Sequence, residues 1–328
     1  MGRTSNSNDI QQSSIESKVI PSLGVSFYPL PCGKFDRRYF PNTLKGIPNI
    51  INGLFKSFFL IKKIHPDIIV SFGGYVSVPV IISGWLQKIT SITHEQTPTN
   101  SLTTKINSFF VKKIALSFDN QKQISKLPKN KVVITGNLLR YQLFQKITTN
   151  NSKIKFKNTK LPLIYITAGN QGSHLINLAI KDLLPYLSSF NIIHQTGKND
   201  LETFNNLQKL YSNYYVSDYF NTQDYSWIIQ HSDIFISRSG ANTCQEIVAF
   251  NKKSILIPLP KSQQDEQYLN ALWVEKNLSK ITIIIDQEKL NSKILLQSIE
   301  SLNNSKNIYS IKKFSPNIKL LQLINESI

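Results

Sequence analysis

Leu163-Ile164-Tyr165-Ile166-Thr167-Ala168-Gly169-Asn170-Gln171-Gly172-Ser173 is the stretch that decides the fold. Its first six residues are a short, mostly apolar run of the kind found in a strand buried on both faces. Gly169 and Gly172 then break the chain into a turn, and Ser173–Leu187 reads as a helix. Strand, glycine turn and helix make one βα unit of a parallel sheet. Toward the C-terminus the unit recurs, with strands expected at Asn191–Thr196, Tyr214–Tyr219, Ile234–Ser237, Ser254–Leu259 and Ile281–Ile285. Ala241–Phe250 and Asp265–Asn277 are among the helices between them. Toward the N-terminus the same alternation predicts strands at Val25–Leu30, Ile68–Phe72, Ser91–Thr93, Ala115–Phe118 and Val132–Thr135. The matching helices are Asn49–Ile64, Val76–Gln87 and Leu102–Lys112.

The polar run from Thr148 to Lys160, rich in Lys and Asn, separates the two series. The expected architecture is therefore α/β: two Rossmann-like domains with parallel sheets, residues 1–147 and 161–328, joined by a linker at 148–160. Two such domains in tandem would form a cleft, with chemistry in the loops at the carboxyl ends of the strands.

The chain has 328 residues, of which 41% are hydrophobic and 18% charged, so sizeable cores can be buried and global disorder is excluded. Its formal net charge is +18, which suits polyanions, anionic lipid or phosphorylated substrates. No zinc-finger, cold-shock or RNP-type run accompanies that charge, so nucleic acid is not an expected partner. Cys32 and Cys244 stand far apart and can form neither a disulfide framework nor a zinc cluster. The histidines have no metal-ligand spacing, and no metal or cofactor is expected. The first residues lack the apolar core of a secretory signal. Ile68–Leu86 has no charged residue and approaches spanning length. Its Gly73-Gly74 pair and Pro79 make strand, turn and helix the better reading.

Several loops carry potential chemistry. Gly73-Gly74-Tyr75-Val76-Ser77 and Gly169-Asn170-Gln171-Gly172 each leave a buried strand and open a helix. Each is either a tight turn or a place where backbone amides meet an anion. Ser237-Arg238-Ser239-Gly240-Ala241-Asn242-Thr243 precedes Glu246, one helical turn on. That carboxylate could accept two vicinal hydroxyls; the plainer alternative is Ser239 as helix cap with Glu246 solvated. His94 could be a base or a structural histidine, and Arg140 a phosphate clamp or a surface cation.

With these residues in hand, the chain resembles the MurG family of two-domain GT-B glycosyltransferases. Gly73–Ser77, His94-Glu95-Gln96, Gly136-Asn137 with Arg140, Gly169–Gly172, His194–Lys198, Arg238–Glu246 and Asp265–Ala271 match its motifs in order. The resemblance implies inverting, metal-independent transfer of N-acetylglucosamine from UDP-N-acetylglucosamine to undecaprenyl-linked lipid I, yielding lipid II for peptidoglycan. It implies that Glu246 holds the uridine ribose, Phe220 meets the uracil, and Asn170 and Arg140 meet the diphosphate. Ala241, Asn242, Thr243 and Gln267 would line the sugar, with Gln171, Cys244 and Gln245 in the same donor-binding set. Gly73, Gly74, Tyr75, Ser77, Glu95 and Gln96 would form the acceptor-side loops, and His94 is the candidate base. A peripheral place on the cytoplasmic face of the membrane is implied, with Asn49–His65 touching anionic lipid. The sequence departs from the family at Thr97 and Leu138, and the family's opening strand and first glycine loop are not found. The competing expectation is a nucleotide-sugar-binding subunit or inactive fragment that does not catalyse alone.

Overall fold

The computed structural model describes residues 1–2, 14–33, 40–145, 154, 156–260, 265–305 and 316–328. Two compact units emerge: Met1–Gly136 together with Asn317–Ile328, and Asn137–Pro316.

The first unit runs α1 (Ile15–Ser22), α2 (Phe40–Ile64), β1 (Ile68–Ser71), α3 (Ser77–Leu86), β2 (Thr90–Glu95), α4 (Leu102–Phe110), β3 (Lys113–Leu116), α5 (Gln121–Ile124) and β4 (Val132–Ile134). Its sheet has the order β1-β2-β3-β4 with parallel neighbours. Ser101 caps α4 by accepting from the Thr104 amide, satisfying one of the free donors of the first turn. On α2 the residues Gly53, Ser57 and Ile61 recur every four positions and face inward. Ser57 and Ile61 are fully buried, and a Cβ at Gly53 would lie 2.4 Å from that of Cys32. Ser57 Oγ bonds the Ser83 hydroxyl of α3 at 2.8 Å.

The second unit runs β5 (Leu163–Thr167), α6 (His174–Leu183), β6 (Asn191–Gln195), α7 (Leu201–Leu210), β7 (Tyr214–Ser217), α8 (Thr222–His231), β8 (Ile234–Ser237), α9 (Ala241–Ala249), β9 (Lys253–Leu256), α10 (Glu266–Asn277), β10 (Thr282–Ile284) and α11 (Ser292–Asn304). The last helix, α12 (Pro316–Asn325), belongs from Asn317 onward to the first unit. The sheet order is β10-β9-β8-β5-β6-β7, again parallel. Strand side chains alternate between faces. Ile164 and Ile166 of β5 join one apolar cluster, while Leu163 and Tyr165 join another. Each face is covered by helices, as the unbroken apolar strands require.

Two expectations need correction. Val25–Leu30 is not a strand; it contributes only an isolated parallel bridge between Gly2 and Pro29. Pro29 and Pro31 cannot donate to a ladder, which limits pairing there. The units divide at Gly136, before the boundary expected at 147. The chain after Gly136 already packs on the second unit. Leu143 is fully buried, Phe144 stacks on Phe250, and Gln230 Nε2 donates to the carbonyls of Leu143 and Gln145. Of the expected linker, only residues 154 and 156–160 lie among the described residues. Ile68–Leu86 forms β1, the glycine turn and α3, and no helix among the described residues is long and apolar enough to cross a membrane.

Candidate active site

In the second sheet the chain moves outward from β5 through β6 to β7, then returns to the other side of β5 as β8. That reversal is a topological switch point, where the loops leaving β5 and β8 splay apart and open a crevice. A cavity of about 590 Å³ lies there, lined by the loop after β5, the start of α9, Arg140, Tyr225 and Gln267.

The loop after β5 is shaped by its glycines. Gly169 has φ +80° and donates to Thr167 Oγ1 at 3.1 Å. At Gly172, with φ +72°, a Cβ would lie 1.8 Å from the Thr196 carbonyl oxygen; at Gly197 it would lie 2.4 Å from that of Gln171. The two loops interlock backbone to backbone, which only glycines permit. Behind this loop α6 begins at Ser173 with no side-chain cap and no acid in its first turn. Its free amides thus present partial positive charge to an anion.

Ser173 Oγ instead accepts from Arg238 Nη2 at 2.9 Å. Arg238 also donates to the carbonyls of Ile257 and Pro258 and to Gln287 Oε1. Its partners in those bonds are all neutral, and burial lowers its pKa. The guanidinium ties together the ends of β8 and β9, the start of α6 and the turn after β10.

Helix α9 starts at Gly240, not Ser239, and a Cβ at Gly240 would meet open space. Asn242, Thr243 and Glu246 face the cavity, while Cys244 packs in the apolar cluster behind. Ala241 and Gln245 are buried and, like Cys244, do not line the cavity. Glu246 is only 8% exposed, which removes the solvated alternative. Tyr225 of α8 donates its hydroxyl to Glu246 Oε2. Burial pushes the Glu246 carboxyl up to about 7, against the pull of Tyr225 and Arg140. Arg140 is exposed and reaches Thr222 Oγ1 at 3.4 Å. Asn137 Nδ2 bonds Asn242 Oδ1 at 2.6 Å, fastening this segment to α9. Phe220 is buried edge-on against Tyr165 and also lines the cavity.

The cavity therefore gathers Arg140, Asn170, Gln171, Phe220, Asn242, Thr243, Glu246 and Gln267. Sequence reasoning left out Tyr165 and Tyr225, and took Gln195 only as part of the His194–Lys198 motif; all three also line it. Tyr165 Oη donates to Gln195 Oε1 at 3.1 Å, closing the floor between β5 and β6. Tyr165 reads as an ordinary strand residue and Tyr225 as a helix residue, so neither stands out before the elements are brought together.

In the first unit Gly73 and Gly74 take φ +82° and +76°, and Ser77 Oγ donates to the Gly74 carbonyl. This loop, with Tyr75, borders a separate cavity of about 660 Å³ beside β1. Glu95 is buried and accepts from the amides of Thr97 and Ser101 and the hydroxyls of Thr97 and Thr104. Its carboxylate organises the start of α4. Gln96 is exposed. His94 is 3% exposed, with Nε2 3.2 Å from the Gly136 carbonyl. The Nε2–H tautomer fits that contact and leaves Nδ1 as the unprotonated nitrogen. Burial lowers its pKa, which favours the neutral ring.

Sequence models of two domains match the chain: the glycosyltransferase family 28 N-terminal domain at residues 10–116 and C-terminal domain at 163–321. Among curated relatives, one from Clostridium novyi (strain NT) is 34% identical over 303 residues, covering 91% of this chain and 82% of its own length. One from Borrelia garinii subsp. bavariensis is 36% identical over 307 residues, covering 92% and 81%. Both are named UDP-N-acetylglucosamine--N-acetylmuramyl-(pentapeptide) pyrophosphoryl-undecaprenol N-acetylglucosamine transferase. The crystal structure of Acinetobacter baumannii MurG superposes with TM-score 0.66 at 19% identity, over 95% of this chain and 88% of that one. A UDP-GlcNAc 2-epimerase from Neisseria meningitidis bound to UDP-GlcNAc superposes with TM-score 0.59 at 16% identity, over 94% and 88%. At such identities the structural likeness establishes a shared fold, two Rossmann-like domains of the GT-B type.

Proposed function

The chain belongs to glycosyltransferase family 28, and from that premise we propose that it transfers N-acetylglucosamine from UDP-N-acetylglucosamine to undecaprenyl-linked lipid I, forming lipid II. It is a hexosyltransferase by family, and the relatives' names support this donor and acceptor. The observation that carries the reading is the switch-point cavity, where an uncapped helix start, two cations and one buried carboxylate surround a space of about 590 Å³.

Each part of a nucleotide-sugar has a matching group. The free amides of α6, the glycine loop with Asn170, and Arg140 suit the diphosphate. Glu246 can accept hydrogen bonds from the ribose diol, and the buried face of Phe220 suits the flat uracil. Asn242, Thr243 and Gln267 offer polar contacts to the sugar. In the reaction the acceptor hydroxyl, losing its proton to a base, attacks the anomeric carbon as UDP departs from the opposite face, inverting the configuration. Charge growing on the leaving diphosphate is stabilised by pre-placed amides and Arg140. The hydroxyl's proton passes to a base, for which His94 is the candidate: its Nε2 lies against Gly136 and its Nδ1 carries no proton.

The acceptor's polyprenyl tail stays in the bilayer, so the enzyme must come to the membrane. On α2, Ile51, Phe55 and Phe59 recur every four residues, are 49%, 61% and 65% exposed, and face away from the buried Gly53-Ser57-Ile61 stripe. Lys56, Lys62 and Lys63 are exposed beside them. This face suits peripheral attachment to the cytoplasmic leaflet, with apolar insertion and attraction to anionic head groups acting together. Calorimetry with UDP-N-acetylglucosamine, UDP-glucose and a GDP-sugar tests the donor assignment. Saturable binding of the first, with weaker binding of the others, is expected; equal binding of the GDP-sugar would refute it.

A further inference from the structure

Glu246 is the buried acid of the donor cavity, and its surroundings show an asymmetry. One carboxylate oxygen, Oε2, accepts the Tyr225 hydroxyl; the other, Oε1, has no protein hydrogen bond among the described residues. Tyr225 is itself fixed, its ring 6.0 Å from that of Tyr165, and both rings line the cavity with Glu246.

We propose that Tyr225 is a positioning residue for the donor's ribose: its hydroxyl clamps Oε2 of Glu246 and leaves Oε1 as the acceptor offered to the ribose diol. This rests on the reading that Glu246 holds the ribose.

The chemistry favours the arrangement. Both ribose hydroxyls donate best to an ionised carboxylate, which accepts at either oxygen, whereas a protonated carboxyl gives up one site to its own proton. Burial works against ionisation. The groups that act electrostatically with the Glu246 carboxylate are Tyr225 on α8, Tyr165 on β5, Cys244 on α9 itself and Arg140 in the segment after β4. The α10 helix packed on α9 brings the neutral Gln267 to the cavity. Of the neighbours, Tyr225 and Arg140 lower the carboxyl's pKa, and only Tyr225 holds it by a hydrogen bond. Removing that hydroxyl would leave the carboxyl more readily protonated and free to rotate.

The test is calorimetric binding of UDP-N-acetylglucosamine from about pH 5.5 to about pH 9. This donor lacks the terminal phosphate monoester that would itself titrate near pH 6. Wild type should bind more tightly as pH rises through about 7. Tyr225→Phe, which keeps the ring, should shift the curve upward, with affinity about fivefold weaker at pH 7, approaching tenfold at lower pH and converging on wild type at high pH, as expected for a shift of about one unit. Glu246→Gln should bind weakly with little pH dependence. A Tyr225→Phe curve that superimposes on wild type, or falls by the same factor at every pH, overturns the positioning role while leaving the ribose reading intact. Undiminished binding by Glu246→Gln overturns both. Should Tyr225→Phe fail to fold, Tyr225→Leu, which likewise removes the hydroxyl, is titrated instead. An upward-shifted curve that converges on wild type at high pH supports the proposal, and a curve superimposed on wild type or lowered by one factor at every pH overturns it.

Discussion

The two sheets differ in how many strands they enclose. In the second unit every residue of the four inner strands β5, β6, β8 and β9 is buried, half-buried residues are confined to the edge strands β7 and β10, and apolar clusters lie on both faces. In the first unit only the two inner strands β2 and β3 are buried beyond their first residue, the edge strands β1 and β4 are partly or wholly half-buried, and a cavity of about 660 Å³ runs along β1. Recognising a diphosphate with backbone amides needs loops that do not move, and a sheet buried on both faces supplies them. A lipid-linked acceptor asks instead for a surface that meets the bilayer, and the exposed stripe of α2 lies on the less covered unit.

The sharpest way to break this contrast is Gly172→Ala. A left-handed backbone costs about 1–3 kcal/mol for a non-glycine residue, and the Thr196 carbonyl lies 1.8 Å from the new methyl. Loss of cooperative unfolding of the second unit, or a drop of roughly 3 kcal/mol or more, is expected in a denaturant titration. Gly240→Ala is the control. Its φ of −65° suits any residue and its Cβ points into open space, so stability should change by less than about 0.5 kcal/mol.

Next in size is the pH dependence of the unliganded protein. Glu246 has a folded-state pKa near 7 against an unfolded 4.5. Folding therefore holds the proton more tightly than the unfolded chain does. The associated stability is fully present below about 4.5 and is lost as pH rises through about 7, on the order of 3 kcal/mol. Thermal melts of wild type minus Glu246→Gln across this window should show that fall. A difference that grows with pH would contradict the burial of the acid. Donor affinity should respond somewhat less: Glu246→Ala should weaken UDP binding by about 1–3 kcal/mol, with the fold retained, as calorimetry can check.

Much of this site was legible in the chain before its folding was known. Gly169 and Gly172 after a buried strand, and Glu246 one turn beyond Gly240–Thr243, carry their roles in local spacing. Arg140 was legible as a cation but not as part of the second unit, because its place depends on Leu143 and Phe144 packing against distant elements. Tyr225 was invisible for the same reason: its significance is the 21-residue separation from Glu246 that folding removes. Val25–Leu30 misled because its short run of Val, Phe, Tyr and Leu looks strand-like, while Pro29 and Pro31 withhold the amides a ladder needs.

The smallest expected effect on stability comes from the first unit's surface. Replacing Phe55 and Phe59 with Ser should change stability by less than about 0.5 kcal/mol per site, because both side chains are largely exposed. Flotation with vesicles containing anionic lipid should fall markedly for the double variant and for wild type in high salt. Equal flotation of wild type and variant would remove α2 as the attachment face.

The central claim is that the switch-point cavity of the second unit serves sugar transfer by this chain. Incubation with UDP-N-acetylglucosamine and a lipid I analogue, followed by separation of the lipid products, tests it most directly. The account predicts a lipid-linked disaccharide with inverted configuration at the transferred sugar, formed in step with UDP release and strongly reduced in Glu246→Gln. A folded protein that binds UDP-N-acetylglucosamine yet forms no disaccharide would contradict it.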